Sequence, residues 1–294
     1  MKKLGESIRK VGLVANTEKI SVSRLVRRAA SLIRAAHRTV LTNAATAELA
    51  KLTIPTCVTT SELAREVDLL MVFGGDGTIL RVAGETAGCR TPMIGINAGA
   101  LGFLTDVQAH QLPLALRQIF AGEMVLEPRS LIEASGRQGD AVYHESALND
   151  FVISRAAAPR LINLEVTIDG MVLTRYRCDG LIVCTPTGST AYSLSAGGAI
   201  VSPTADVFTL TPICPHTLSN RSVIVSLDAV IKVKVLSERV ETILTSDGQK
   251  MIPLTFGDEV VIRRSKRTIR LLHLAGSSFY ETLRKKLNWS GSSV

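Results

Sequence analysis

Short apolar runs alternate with helical repeats through the first third of the chain. Four runs are typical of buried strands and lie at residues 11–15, 39–42, 69–73 and 92–97. After the first run, apolar side chains recur at the spacing of one helix face, at Val22, Leu25, Val26, Ala29, Ile33 and Ala36. Further helices are predicted over residues 61–66 and from 79 to about 87. This alternation predicts a parallel sheet flanked by helices.

From about residue 125 the pattern changes to strict alternation of apolar and polar positions. Residues 162–168 alternate in this way, and the following Asp169-Gly170 is the type of turn that joins two antiparallel strands. A second such turn, Asp247-Gly248, separates two further predicted strands. The strands predicted in this half lie at residues 151–154, 162–168, 231–235, 240–245, 250–255, 260–262 and 269–274.

The change of period predicts two domains. An α/β domain with a parallel sheet spans residues 1–125, and a β-rich domain spans 126–275. The last helical segment, within 276–294, has no core of its own and is expected to pack on the first domain. A chain of 294 residues with 46% hydrophobic content is long enough to build both cores.

Charge favours an anionic partner. The sequence has 34 Lys and Arg against 26 Asp and Glu, a net charge of +8, which suits nucleotides, nucleic acids or acidic lipids. The basic residues cluster only at Arg263, Arg264, Lys266 and Arg267 and at 284–286, and only 4% of the chain is aromatic. Because stacking rings are missing between the basic residues, we interpret both clusters as solvated faces and expect no nucleic-acid partner.

The cysteines and the amino terminus indicate a cytoplasmic protein. Five cysteines form no CxxC pair and no closely spaced framework, which argues against disulfides and structural zinc; we expect them to pack as small hydrophobes. No signal peptide or membrane-length apolar run is visible, so we expect no membrane partner. The five histidines show no metal-ligand spacing and are interpreted as structural.

Candidate chemistry begins where the apolar run 69–73 ends, at Gly74-Gly75-Asp76-Gly77-Thr78. Glycines let the backbone approach phosphate oxygens, and a following helix offers free N–H groups to an anion. The Asp76 carboxylate repels phosphate unless it binds magnesium or accepts a proton from an attacking hydroxyl. A tight turn without function remains the alternative. Neither a P-loop nor a G-x-G-x-x-G motif occurs in the chain.

Two further segments carry groups suited to a nucleotide. Residues 179–198 run from an apolar strand into a loop dense in hydroxyls and glycines, with one aromatic ring at Tyr192. Such a loop can bind a ribose or the edge of a base and stack on its face, although a polar strand connection has a similar composition. Asn149-Asp150 can likewise bind a nucleotide or simply form a turn.

Together these segments resemble the NAD kinase family. Residues 74–78 look like its GGDGT motif, residues 97–104 its N-x-G-x-LGFL motif, and Asn149-Asp150 its Asn-Glu/Asp pair. Residues 179–198 resemble its longest motif almost without a break, and the likeness is strong from about residue 70 to 220. GGDGT also occurs in diacylglycerol-type lipid kinases and phosphofructokinases, so the block 179–198 is what distinguishes the family.

The resemblance implies an enzyme that moves the terminal phosphate of ATP, with Mg²⁺, onto the 2′-hydroxyl of the adenosine ribose of NAD. It implies an α/β domain, a β-sandwich-like domain and an NAD site between them in a homodimer or homotetramer. Asp76 matches the general base for the 2′-hydroxyl. The expected contacts with the nucleotides are Gly74, Gly75, Gly77, Thr78, Arg81, Phe103, Asn149, Asp150, Arg160, Arg177, Asp179, Thr187, Thr190, Ala191, Tyr192, Ser193, Leu194, Ser195 and Gln249.

Among these residues, Phe103 and Tyr192 match rings near the adenine, and Asp150 matches a ribose contact. Asn149, Thr187, Thr190 and Ala191 match contacts on the adenine side; Asp179 with Arg177 lies near the nicotinamide end; Arg160, Ser195 and Gln249 match further NAD contacts; and Arg81 is a candidate phosphate partner. The sequence departs from the family at Ala98 and Ala100, where larger polar or basic side chains are usual.

Two other functions compete with this one. A lipid kinase would share the α/β domain and GGDGT, but the hydroxyl-rich block favours a dinucleotide over an acyl chain. A non-catalytic NAD(P)-binding sensor would keep the fold, but it would gain nothing from an Asp76 carboxylate beside phosphates.

Overall fold

The computed structural model describes residues 2–97, 99, 102–139, 141–157, 160–217, 219–238 and 240–289. The chain divides into two compact units. The first unit comprises Met1–Pro128 and Ile269–Val294, and the second comprises Arg129–Thr268.

The described residues form α-helices and short 3-10 helices. The α-helices are α1 (Lys2–Ser7), α2 (Val22–Ala35), α3 (Ala44–Ala50), α4 (Thr60–Glu66), α5 (Asp76–Glu85), α6 (Leu112–Ala121), α7 (Tyr192–Ser195) and α8 (Phe279–Leu287). The 3-10 helices are Ala109–Gln111 and Thr187–Thr190. No helix in this part of the chain is both long and apolar enough to cross a membrane.

The strands fall into two groups along the chain. Those up to residue 108 are β1 (Lys10–Ala15), β2 (Thr39–Asn43), β3 (Thr56–Cys57), β4 (Leu69–Phe73), β5 (Met93–Asn97) and β6 (Val107–Gln108). The later strands are β7 (Met124–Gln138), β8 (Ala141–Ala147), β9 (Asp150–Arg155), β10 (Ile162–Ile168), β11 (Met171–Cys178), β12 (Gly180–Cys184), β13 (Val207–Ile213), β14 (Val223–Ser226), β15 (Ile231–Val235), β16 (Thr242–Ser246), β17 (Lys250–Leu254) and β18 (Glu259–Leu274).

The first unit contains the parallel sheet predicted from the apolar runs. Its strand order is β18-β5-β4-β1-β2-β3, with β6 beside β5. Every residue of β4 and β5 is buried, because helices cover a parallel sheet on both faces and leave no polar side. The carboxyl ends of β4 and β5 lie side by side, with Phe73 paired to Ile96, and carry the loops that follow.

Helix starts and apolar faces in the first unit have local causes. The predicted face of α2 is buried, including Val26 and Ile33. Helix α4 begins with a capping box in which Thr59 and Glu62 each bond the other's backbone N–H. Helices α3 and α6 were not predicted, although α6 buries Leu112, Ala115, Leu116 and Ile119 at helical spacing.

The second unit is antiparallel, as predicted for the β-rich half. One sheet has the order β14-β13-β12-β9-β16-β17, and a second group of strands runs β11-β10-β15-β18. Buried side chains from both groups form one core that includes Phe151, Leu181, Leu164 and Val233. A core between two sheet faces is the arrangement of a sandwich, which confirms the expected fold class.

The two Asp-Gly turns occur where the sequence predicts them. Asp169 and Gly170 have φ values of 50° and 84° between β10 and β11, and Asp247 and Gly248 have 49° and 66° between β16 and β17. Positive φ at both residues is what a tight hairpin turn requires, and aspartate tolerates it better than most residues.

Two expectations are corrected by the structure. Residues 259–274 form one strand rather than two, because the basic residues in its middle are exposed and paired: Arg263 lies 2.6 Å from Glu133, and Arg264 lies 3.3 Å from Asp206. All five cysteines are free, but Cys214 is exposed, so it does not pack as a small hydrophobe in the core.

Candidate active site

The glycine-rich segment after β4 turns directly into α5. Gly74 N–H donates to the Ile96 carbonyl oxygen at 3.0 Å, which joins the ends of β4 and β5. A Cβ on Gly74 would lie 2.7 Å from the Cβ of Thr78, so the residue must be glycine. Gly75 is the N-cap, and Asp76 is therefore the first residue of the helix rather than part of a free loop.

The Asp76 carboxylate is held by the segment after β5. It accepts hydrogen bonds from Phe103 N at 2.8 Å and Leu104 N at 3.1 Å, and Thr105 Oγ1 lies 3.4 Å away. An ionised carboxylate has about four acceptor positions, so these donors leave about one for a further proton donor. The side chain is oriented in advance, as a general base or a metal ligand must be.

The two glycines beside Asp76 face open space. A Cβ added to Gly75 or Gly77 would meet no heavy atom within 4 Å, in contrast to Gly74. The same helix start carries backbone N–H groups without intrahelical partners, and the helix dipole favours an anion there. This space beside a carboxylate is suited to a phosphate and a hydroxyl group that reacts with it.

Thr105 and Asn97 complete this arrangement, and neither was predicted from the sequence as a site residue. The Thr105 hydroxyl oxygen accepts from Asn97 Nδ2 at 3.1 Å and from Gly102 N at 3.1 Å. Asn97 belongs to the N-x-G-x-LGFL motif, and that motif could have identified it as a site residue. Ala98, Ala100 and Leu101 of that motif lie outside the described residues.

Phe103 and Arg81 already have neighbours. The centroid of the Phe103 ring lies 6.4 Å from that of Phe279 in α8, and Lys286 Nζ lies 5.6 Å from it. Arg81 Nη1 donates to Glu85 at 2.6 Å, so part of the positive charge expected to meet phosphate is neutralised within α5. Both residues remain predicted ligand contacts.

A buried charged cluster follows Thr105 directly. His273 Nδ1 is hydrogen-bonded to Asp106, and its Nε2 lies 3.1 Å from Glu127 Oε2 in a contact that is not aligned as a hydrogen bond. Burial by itself lowers the pKa of His273, but the contacts and charges of Asp106 and Glu127 outweigh it and raise the pKa to about 9. A charged His273 thus holds the segment that orients Asp76.

This cluster predicts a loss of stability at alkaline pH. The folded pKa of His273 lies above the usual 6.5, so its contribution is fully present below pH 6.5 and is lost as the pH rises to about 9. With the side chain only 15% exposed, the loss is on the order of 3 kcal/mol. Urea unfolding from pH 6 to 9.5 should show this decrease in the parent protein and not in His273→Gln.

The exposed His110 supplies the control for this experiment. His110→Gln should keep the parent pH dependence, since the His110 side chain is exposed to solvent in both the folded and the unfolded protein. Equal slopes for the parent and His273→Gln would show that the cluster does not couple protonation to folding.

In the second unit, Asn149 and Asp150 lie at the start of β9 and are both buried. Burial, and then the charge of Asp247, raise the pKa of Asp150 to about 7. The Asn149 Oδ1 atom is buried and has no hydrogen-bond partner among the described residues, which leaves an acceptor for a ligand. The predicted Asn-Asp pair therefore combines an acceptor without a partner and a carboxyl group with a raised pKa, neither of which a simple turn would need.

The hydroxyl-rich block is a pair of short helical turns rather than an open loop. Ser189 Oγ donates to the Pro186 carbonyl oxygen at 2.7 Å, Ser193 Oγ lies 3.0 Å from Thr211 Oγ1, and Thr187 accepts from Arg129 at 3.2 Å. These hydroxyls are buried and already bonded. Because the Ser193 hydroxyl is buried and bonded to Thr211, a ligand at this position would contact the backbone of Ser193 rather than its side chain.

The other predicted residues of this unit are more accessible. Tyr192 is 48% exposed, so its ring is not part of the core. Asp179 accepts from Arg155 Nε at 2.6 Å. The remaining predicted contacts are exposed or partly exposed and comprise Arg160, Arg177, Thr190, Ala191, Leu194, Ser195 and Gln249.

The described residues contain no group of three or more His, Cys, Asp or Glu side chains placed to hold a metal ion. Magnesium in nucleotide enzymes is held by one or two carboxylates together with the substrate phosphates and water. The remaining acceptor position of Asp76 fits that mode of binding.

A glycine-flanked carboxylate at a helix start, in an α/β domain followed by an antiparallel β domain, is typical of a phosphotransferase. The family description "ATP-NAD kinase N-terminal domain" matches residues 11–124, and "ATP-NAD kinase C-terminal domain" matches residues 148–274. The chain belongs to the NAD kinase family.

Individual relatives agree with this assignment. The NAD kinase of Symbiobacterium thermophilum is 46% identical over 76% of this chain and 79% of its own. That of Thiobacillus denitrificans is 42% identical over 95% of this chain and 96% of its own. Yeast NADH kinase complexed with NADH has a TM-score of 0.87 at 27% identity, covering 98% of this chain and 89% of its own. An Archaeoglobus fulgidus NAD kinase in complex with ATP has a TM-score of 0.76 at 26% identity, covering 96% and 100%.

Proposed function

We propose that this enzyme transfers the terminal phosphate of ATP to the 2′-hydroxyl of the adenosine ribose of NAD, with Asp76 as the general base. One observation carries the proposal. The Asp76 carboxylate is oriented by Phe103 N–H and Leu104 N–H, and Gly75 and Gly77 beside it face open space. A hydroxyl bonded to the remaining acceptor position would lose its proton to Asp76 as its oxygen attacks phosphorus.

The second unit is proposed to bind the adenosine. The buried, unpartnered Asn149 Oδ1 can accept from the amino group of adenine, and an ionised Asp150 can accept from a ribose hydroxyl. Tyr192 offers its half-exposed ring to the base. These polar and aromatic groups suit a nucleotide, which supports NAD over a lipid as the phosphate acceptor.

Magnesium is proposed to enter with ATP and to neutralise charge on the phosphates. Asp76 is the residue that would contact it, since its carboxylate has one acceptor position left. The two proposed roles of Asp76, as proton acceptor and as metal contact, predict different behaviour as the magnesium concentration changes.

The proposal is tested by incubating the purified protein with ATP, magnesium and NAD and measuring NADP with an NADP-specific dehydrogenase. NADH and sn-1,2-diacylglycerol serve as alternative acceptors in parallel reactions. Formation of NADP from NAD supports the proposal. Phosphorylation of the lipid without NADP, or NAD binding without any transfer, would overturn it.

Replacement of Tyr192 by alanine should weaken NAD binding more than it slows turnover. Stacking of a base on an aromatic ring contributes about 1–3 kcal/mol, which corresponds to an increase in KM of roughly 5-fold to 150-fold. Because Tyr192 is 48% exposed, the variant should unfold at nearly the parent temperature. Steady-state kinetics, with circular dichroism as the control for folding, check both results. An unchanged KM for NAD would remove the ring from the binding site.

Location and assembly are also proposals. The five free cysteines support a reducing, cytoplasmic environment. Met171 and Val172 are 74% and 62% exposed on β11, the end strand of its sheet, and such an apolar edge supports a homodimer or homotetramer. Light scattering on the eluting protein measures the mass directly, and a monomer at micromolar concentration would contradict this proposal.

A further inference from the structure

Asp247 binds a run of three consecutive backbone amides. Its Oδ2 accepts from Leu148 N at 2.8 Å, and its Oδ1 accepts from Asn149 N at 2.8 Å and from Asp150 N at 3.0 Å. The backbone returns the contact, because Asp247 N–H donates to the Asp150 carbonyl oxygen at 3.0 Å. Four hydrogen bonds therefore tie the turn after β16 to the first residues of β9.

The turn alone does not require a carboxylate. Asp247 has a φ of 49°, which asparagine tolerates equally well, and Gly248 completes the turn. Three donors, however, require two acceptor oxygens. An asparagine side chain has one oxygen and an amino group, so at least one of these backbone N–H groups would lose its partner. Three backbone N–H donors therefore require the two oxygens of an aspartate at this position.

The other side of the same segment contacts the hydroxyl-rich block. Thr185 Oγ1 donates to the Leu148 carbonyl oxygen at 2.6 Å, and Thr185 N–H donates to the Asn149 carbonyl oxygen at 2.9 Å. A Cβ on Gly188 would lie 2.8 Å from the Asn149 Cα, so this block fits closely against the segment. Asp247 thus fixes residues 148–150 from one side while the block fixes them from the other.

We propose that Asp247 is a positioning residue for NAD binding, which sets where Asn149 and Asp150 meet the adenosine. This inference rests on the proposed function, in which those two side chains contact the nucleotide. In this role Asp247 acts through those two side chains, because its carboxylate holds the backbone N–H groups of the residues that carry them, together with that of Leu148.

The charge of Asp247 provides a readout that a purely structural role would lack. Among the described residues, the titratable groups that interact with the Asp150 carboxyl are Asp247 in the turn and Cys184 in β12. Burial and the negative charge of Asp247 hold the pKa of Asp150 at about 7. An ionised Asp150 accepts from a ribose hydroxyl, so NAD affinity should rise as the pH passes 7. Removal of the Asp247 charge lowers the pKa of Asp150 and shifts this rise to lower pH.

The test compares Asp247→Asn with Asp169→Asn in the full-length enzyme. Asp169 stands at the same place in an Asp-Gly hairpin, with φ 50°, but among the described residues its carboxylate accepts from one backbone N–H, that of Val230 at 2.8 Å. Asparagine can retain that single bond, so the control isolates the three-donor arrangement. Steady-state kinetics give KM and kcat for NAD, and calorimetry gives the NAD dissociation constant from pH 5.5 to 8.5.

For Asp247→Asn we expect KM and Kd for NAD to rise about 10-fold to 100-fold, the usual cost of a buried donor left without its partner. We expect kcat to stay close to that of the parent, since the lost contact affects binding rather than the transition state, and the pH at which NAD affinity rises to move below 7. Asp169→Asn should match the parent in all three measurements.

Parent-like KM and pH dependence in Asp247→Asn would overturn the inference, and so would an equal loss in Asp169→Asn. If Asp247→Asn does not fold, Asp247→Gly replaces it, because glycine adopts the positive φ without strain and still removes both acceptor oxygens and with them all three hydrogen bonds. A parent enzyme that makes no NADP would instead overturn the proposed function, and this inference with it. The parent reaction thus separates the two failures.

Discussion

Replacement of Asp76 by asparagine should reduce kcat by roughly a hundredfold to ten-thousandfold, while NAD binds nearly as before. The change removes the negative charge and nearly all basicity at similar size. A proton accepted only as the ribose oxygen attacks phosphorus contributes to the transition state and not to NAD binding, so its loss should appear in kcat. Stopped-assay kinetics and calorimetry with NAD measure the two quantities separately.

The contacts of Asp76 require a control for the position of the loop. Asparagine has one acceptor oxygen for Phe103 N–H and Leu104 N–H, so residues 102–105 can shift when Asp76 is replaced. Thr105→Val disturbs the same segment but keeps the carboxylate. A general base predicts a much larger loss in Asp76→Asn than in Thr105→Val. Equal losses would assign the effect to the loop.

A magnesium series separates the remaining roles. If Asp76 chiefly contacts the metal, the affinity for ATP with magnesium should fall, and excess magnesium should restore part of the activity. If Asp76 accepts the proton, excess magnesium should leave the loss unchanged. Near-parent turnover at every magnesium concentration would reduce Asp76 to a residue of the helix start.

Replacement of Gly102 by alanine should lower kcat/KM about a hundredfold or more. A Cβ at this position would overlap Asp76 Oδ1 and lie 2.5 Å from Thr105 Oγ1, so either the carboxylate or the segment that holds it must move. A displacement of about 1 Å in a reacting group can cost two orders of magnitude in rate. The expected change is therefore large, although Gly102 itself contributes no functional group.

Gly84→Ala is the matched control on α5. A Cβ on Gly84 meets no heavy atom within 4 Å, and the position is exposed within the helix. Alanine there should raise stability by about 0.5–1 kcal/mol and leave kcat/KM unchanged. Parent-like kinetics in Gly102→Ala would show that the close fit around Asp76 is not needed for turnover. Thermal unfolding of both variants distinguishes local displacement from general loss of the fold.

The sequence alone determined the features that depend on neighbouring residues. The apolar run 69–73 followed by Gly-Gly-Asp-Gly predicted a strand that ends at a functional turn, and β4 and α5 meet there. The Asp169-Gly170 and Asp247-Gly248 pairs predicted hairpin turns because their φ requirements are local. The motifs at 74–78, 97–104, 149–150 and 179–198 together predicted the family, with the block 179–198 as the distinguishing one, and the family matches confirm that prediction.

Prediction of helices and strands from the spacing of apolar residues was less accurate where polar residues interrupt that spacing. The helix α3 is rich in alanine and threonine and offers a faint periodic pattern, so it was missed. The strand β18 continues through Arg263 and Arg264 because acidic partners from distant parts of the chain pair with them. Charge on one face does not end a strand when that face is exposed.

Only the tertiary structure decided which side chains act together. Asp76 meets Phe103 and Leu104 across 27 and 28 residues of chain, and Asp247 meets Leu148 across 99. Nothing in the local pattern marks such pairs, because they form only when parallel strands align their carboxyl ends or a hairpin turn folds over a neighbouring strand. The sequence determined the elements and the family. Tertiary contacts determined that the backbone amides of residues 103 and 104 orient the Asp76 carboxylate and that the Asp247 carboxylate holds the backbone of residues 148–150.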